Sequence, residues 1–120
     1  MSTVAFPVFQ SRIAPVFDFA VRVLLIQIEH QRELARSELY TKNLSGPERV
    51  NTLKRAGVTT LVCAGVSNIM HTMLENADIR VRPGIVGQVE EVIRAYIDNR
   101  LDDPRFFMPG HGGGGVVDLE

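Results

Sequence analysis

Between Val21 and Glu29 the chain reads VRVLLIQIE, an apolar run too continuous for one helical face and of strand length. It predicts a strand covered on both faces. Upstream, TVAFPV (Thr3–Val8) is β-branched and aromatic and predicts a short strand, limited by Pro7 because proline brings no amide to a ladder. QSRIAPVFD (Gln10–Asp18), with a second proline, predicts an irregular connection. ELARSELYT (Glu33–Thr41) alternates loosely and predicts a third strand, paired to the second through a turn near His30–Arg32.

After Thr41 the period lengthens. SGPE (Ser45–Glu48) is a capping box, with Pro47 tolerated in the first turn. Val50, Leu53 and Ala56 follow at helical spacing, and Gly57 suits the left-handed closing position. VTTLVCAG (Val58–Gly65) predicts a strand and Ser67 caps the next helix, whose apolar stripe is Ile69, Met70, Met73, Leu74 and Ala77. IRVRP (Ile79–Pro83) predicts a short strand. A last helix runs from about Val86 to Asp98, burying Val89, Val92, Ile93, Tyr96 and Ile97. The order βββαβαβα predicts an α/β domain over residues 1–101: a mixed five-stranded sheet, antiparallel first and parallel later, with helices packed on it. Residues 102–120 read as a flexible glycine-rich tail, and Asp118–Glu120 are assigned no function.

Composition narrows the functional classes. The chain has 120 residues, 45% of them apolar, and a net charge of −1. Such a balance gives no electrostatic reason to expect nucleic acid or an anionic membrane as partner. No apolar stretch is long enough to span a bilayer, and the amino terminus lacks a basic region followed by an apolar core, so a cytoplasmic protein is expected. Cys63 is the single cysteine, which excludes an internal disulfide and suits a reducing compartment. Self-association is left open.

In open α/β sheets ligands gather beyond the carboxyl ends of parallel strands. CAGVSN (Cys63–Asn68) and RPGIVG (Arg82–Gly87) both lead from a strand into a helix there. Their amides, at Gly65, Val66, Ser67 and Asn68 and at Gly84, Ile85 and Gly87, are candidates for contacting an anion. Neither loop matches a phosphate-binding or dinucleotide fingerprint, and tight turns needing small residues are the plainer explanation of the glycines. Cys63, at a strand end, is either a small buried hydrophobe or a ligand. His71 falls off the apolar stripe of its helix, near the same edge. His111, in MPGHGGGG (Met108–Gly115), could swing onto it. The three have no short-range ligand spacing, so any metal site formed by Cys63, His71 and His111 would be assembled in space. No convergent acid, base or nucleophile is evident, so no enzyme is expected. The strand order would resemble a ribonuclease-H-type sheet, but the first strand lacks the carboxylates that a two-metal nuclease needs.

Several segments in series, APVFDFA, IQIE, LVCAGVS, RPGIVGQVEEVIRAYIDNRL and MPGHGGGG, resemble the dinitrogenase iron–molybdenum cofactor biosynthesis family. The likeness runs from Ile13 to Gly115. It implies a ribonuclease-H-like α/β domain and a non-catalytic carrier of an iron–sulfur or iron–molybdenum type cluster or its precursor, exchanging cargo with donor or acceptor proteins. It also implies that Ala14–Asp18, Cys63–Ser67 and the glycine tail surround the cluster. Family members often have Ser-Pro-His-Phe-Gly in the first loop, where this chain places Val16 and Asp18 at the histidine and glycine positions. Many carry cysteine before the terminal glycines, where this chain has His111. The alternative expectation is a metal-free protein-interaction or small-anion-binding module on the same fold.

Overall fold

A computed structural model describes residues 1–109. It contains β1 (Ser2–Phe9), β2 (Arg12–Ile13), β3 (Arg22–Glu29), β4 (Arg32–Tyr40), α1 (Gly46–Arg55), β5 (Val58–Val62), α2 (Asn68–Asn76), β6 (Arg80–Arg82) and α3 (Val89–Ile97), with 3-10 turns at Phe17–Phe19 and Pro104–Phe106. The sheet is mixed and six-stranded, ordered β4-β3-β1-β5-β6, with β2 pairing to β1 off that path. β4, β3 and β1 are antiparallel neighbours, and β1, β5 and β6 are parallel.

Strand alternation divides the interior in two. Val4, Phe6 and Val8 of β1, with Ile26 and Ile28 of β3, meet Val92, Ile93 and Ile97 of α3. Ala5 of β1, with Val23 and Leu25 of β3, faces Leu53 of α1 and Met70 and Leu74 of α2. Local chemistry sets the helix starts. Ser45 Oγ accepts from the Glu48 amide and the Glu48 carboxylate accepts from the Ser45 amide, completing the capping box. The box holds the Glu48 carboxyl below its usual range. Ser67 Oγ accepts from the Met70 amide at α2, and Gly57 adopts φ 83° after α1. His30 and Gln31, both left-handed, form the two-residue turn between β3 and β4.

Four expectations are corrected. The sheet gains a strand, because Arg12–Ile13, read as irregular connection, pairs with Val8–Phe9. Two residues leave no periodic signal. Pro7 does not keep β1 short: β1 runs over 8 residues as the central strand, and Pro7 sits opposite Val23 within it. Its carbonyl accepts from the Ala14 amide, so its missing N–H would also point to that side, where pairing with β5 has already stopped at Ala5. Ile69, expected in the apolar stripe of α2, is 73% exposed. Finally, packing continues past Leu101. Phe106 is buried, Ile85 bridges to Phe107, and the Met108 amide donates to the Gly84 carbonyl. The rest of the expected tail, with His111, lies outside the described residues.

Candidate functional site

β1 and β5 are adjacent and parallel, yet their outgoing connections diverge, one toward β3 and the other toward β6. The region beyond their carboxyl ends is the switch point at which such sheets bind ligands. Three loops meet there, stitched by backbone bonds. The Gly65 amide donates to the Pro15 carbonyl (2.9 Å) and the Phe17 amide to the Gly65 carbonyl (2.8 Å). The Gly84 amide donates to Ala64 (2.8 Å) and the Ile85 amide to Cys63 (3.0 Å). The Ile13 amide donates to the Gly87 carbonyl (3.0 Å).

Asp18 anchors this cap to α2. Its carboxylate accepts from the Ser67 amide (3.0 Å) and from Ser67 Oγ (2.6 Å). A fixed negative charge therefore already occupies the helix amino terminus, where an anionic ligand would otherwise be favoured. Beneath it lies Arg49 of α1, 4% exposed. Arg49 Nη1 donates to the Ala20 carbonyl (2.6 Å), Nη2 donates to the Thr41 carbonyl (3.2 Å), and the guanidinium lies 5.6 Å over the Phe17 ring. Burial lowers its pKa, with Asp18 opposing. Among the described residues, Arg49 Nε finds no partner. Pattern reasoning passes over Arg49 because a polar residue in the first turns of a helix normally faces water.

The structure scatters the candidate ligands. Cys63 is fully buried between the sheet and α1/α2, and burial, then Asp18, pushes its thiol up to about 12. A protonated, enclosed thiol is a poor ligand at neutral pH. His71 is half-buried, with Nε2 3.3 Å from Glu75 Oε2 one turn along α2, and its Nδ1 is enclosed without a partner among the described residues. No group of three or more His, Cys, Asp or Glu among the described residues could hold a metal ion. His111 lies outside those residues. Of the candidate amides, those of Gly65, Ser67, Gly84 and Ile85 are bonded within the cap. Val66 and Ile85 are buried in opposite cores, and Asn68 is exposed at the first position of α2. Gly84 and Gly87 have φ of 79° and 136°, and a Cβ on Gly87 would meet Val92 at 3.4 Å and the Phe106 ring at 3.5 Å. Geometry and close packing account for both glycines.

Beside the stitched loops lies an open apolar groove of about 540 Å³, floored by Val8, Ala14 and Ala20 and rimmed by Phe9, Val16 and Phe19. Phe9 is 61% and Phe19 74% exposed. Sequence reading missed this groove, although APVFDFA supplies most of its wall.

The family profile described as "Dinitrogenase iron-molybdenum cofactor" matches residues 1–99. The chain belongs to that family. The family is tied to assembly of the iron–molybdenum cofactor of nitrogenase, and so to work alongside partner proteins. No curated protein sequence matches the chain. Solved structures share its fold. The apo form of the orange protein from Desulfovibrio gigas has TM-score 0.71 and 17% identity, over 96% of this chain and 97% of its own. A Thermotoga protein assigned provisionally as NifB has TM-score 0.70 and 23% identity, over 92% and 99%. A Methanocaldococcus jannaschii protein assigned provisionally as a dinitrogenase has TM-score 0.69 and 13% identity, over 82% and 89%. No helix among the described residues is long and apolar enough to cross a membrane.

Proposed function

We propose that this family member is a non-catalytic, cytoplasmic carrier of an iron–sulfur or iron–molybdenum type cluster or its precursor, passing that cargo between donor and acceptor proteins. The observation that carries the reading is the family match over residues 1–99. The open groove beside the switch point of the sheet supports it by giving a cargo a place there. The dispersed donors bear on how cargo is held. With Cys63 buried and protonated and His71 turned to Glu75, the described residues offer no multidentate cage. A carrier needs few and exchangeable ligands, and His111 is the first of them in this reading, with Cys63 and His71 in reserve should the cap open.

Anaerobic reconstitution with ferrous iron and sulfide, followed by desalting and iron and sulfide analysis, tests this. The parent chain and Cys63→Ala should retain cluster, while His111→Ala should lose most of it. Failure of the parent to retain iron and sulfide sinks the carrier reading, and equal retention by His111→Ala removes that ligand. A metal-free protein-interaction module is the second reading, favoured by the exposed Phe9 and Phe19 on the groove. The internal bonding of the cap amides disfavours the small-anion version of it.

A further inference from the structure

Among the described residues β4 is an outer strand of the sheet, bonded on one side only, and all of its nine residues except Leu39 are exposed. A long open edge of this kind is a template for another strand. The phase of the open edge follows from one bond. The Thr41 amide donates to the Val21 carbonyl across the β3–β4 ladder (2.7 Å). Alternation along an antiparallel strand then turns Leu39 and Ser37 toward β3 as well, and leaves the amides and carbonyls of Arg36, Glu38 and Tyr40 pointing outward.

We propose that a second copy of this chain pairs antiparallel with β4 about a two-fold axis at Ser37, setting Arg36 of each copy against Glu38 of the other. The sequence of the edge is self-complementary in this register. The register is regular from Ala35 to Tyr40 and shifts at Leu34, so the match is set within that stretch. Ala35 falls opposite Leu39, and the small Ser37 meets itself on the axis. Arg36 and Glu38 both carry outward-facing backbone groups, so the charged pairs are also the hydrogen-bonded ones. Moving the axis by one residue destroys the match, since it sets Arg36 against Arg36 or Glu38 against Glu38, and like charges directly opposite are destabilising. Glu38 already accepts from Arg22, and Arg36 already donates to Glu33 and Glu90. Pairing therefore links two existing charge clusters into one row across the axis.

The joined sheet leaves both candidate sites open. β4 runs parallel to β1, because each is antiparallel to β3. An antiparallel β4–β4 contact consequently puts the two candidate sites at opposite ends of the joined sheet. The inference does not depend on cluster binding.

Sedimentation velocity on the full 120-residue chain over a wide concentration range tests it. The parent should self-associate to a dimer, and Glu38→Arg and Arg36→Glu should each weaken association by about tenfold or more, given two like-charge pairs per interface. An equimolar mixture of those two variants should dimerise again, because each presents the charges the other lacks. Ser37→Cys adds a measurement that tolerates loss of the ion pairs. A non-hydrogen-bonded antiparallel pair has Cα atoms about 4.5 Å apart, within disulfide reach, so mild oxidation should give a covalent dimer while buried Cys63 leaves the parent uncrosslinked. A parent monomeric at every concentration, a dimer indifferent to both charge reversals, or no Ser37→Cys crosslink would overturn the proposal.

Discussion

At the carboxyl ends of β1, β5 and β6 the loop amides donate to loop carbonyls and to the Asp18 carboxylate, whereas along β4 the amides of Arg36, Glu38 and Tyr40 face outward from the sheet. Both regions border the same sheet, but they offer different kinds of recognition. The stitched cap has little backbone left to give at Gly65, Ser67, Gly84 and Ile85, so a ligand there must be met by side chains, by shape or by the apolar groove beside it. The β4 edge offers backbone first, and its side chains choose among partners and registers. An edge that is open but charge-patterned can pair selectively where a plain apolar edge would aggregate.

The cap can be broken from below, and the largest effect should come from Arg49. Arg49→Ala removes two buried hydrogen bonds, leaves the Thr41 carbonyl with the long bond from the Leu44 amide (3.4 Å) and leaves a void under Phe17. It should cost about 3 kcal/mol, read as a lowered urea midpoint with an unchanged slope. Cys63 comes next, through alkali. Its folded pKa of about 12 lies above the ordinary 9.0, so the folded state keeps a proton that the unfolded chain gives up. That contribution is complete below pH 9 and falls as pH rises toward 12, by at most about 1.4 kcal/mol per pH unit. The parent should therefore lose about 2 kcal/mol more than Cys63→Ala between pH 8 and pH 10.5 in chemical denaturation. Parallel declines in the two proteins would contradict the buried, protonated thiol. The smallest effect sharpens the contrast with β4. Asp18→Ala frees the Ser67 amide and hydroxyl and should cost about 1 kcal/mol, with faster hydrogen exchange at Ser67 and no change at Glu38.

Where a residue's own neighbours in sequence decide its conformation, the chain is legible. The Ser45–Glu48 box, the Ser67 cap, the glycine closing α1 and the turn at His30 all sit where the pattern puts them. The misses are positions decided by distant partners. β2 exists because Val8 and Phe9 are beside it, Arg49 is buried because the Ala20 and Thr41 carbonyls converge on it, and Ile69 is exposed although its spacing suits a core. The candidate site divides in the same way. The loops at Cys63–Ser67 and Arg82–Gly87 lie at the expected edge, but their amides turn out to bond across to other loops, which no single segment reveals.

Pro7 stands where the β1–β5 ladder forks. On one flank of β1, pairing with β5 ends at Ala5 and pairing with β2 occupies Val8 and Phe9. At the changeover stands the residue that cannot donate. The parallel ladder thus stops short of the rim by about four residues of β1, or roughly 13 Å of extended chain, and the loop from Ala14 to Phe17 fills that opening. With no amide at position 7, β5 has no donor to meet on that flank, and the loop seated there instead carries Ala14, Pro15 and Val16 into the wall of the apolar groove.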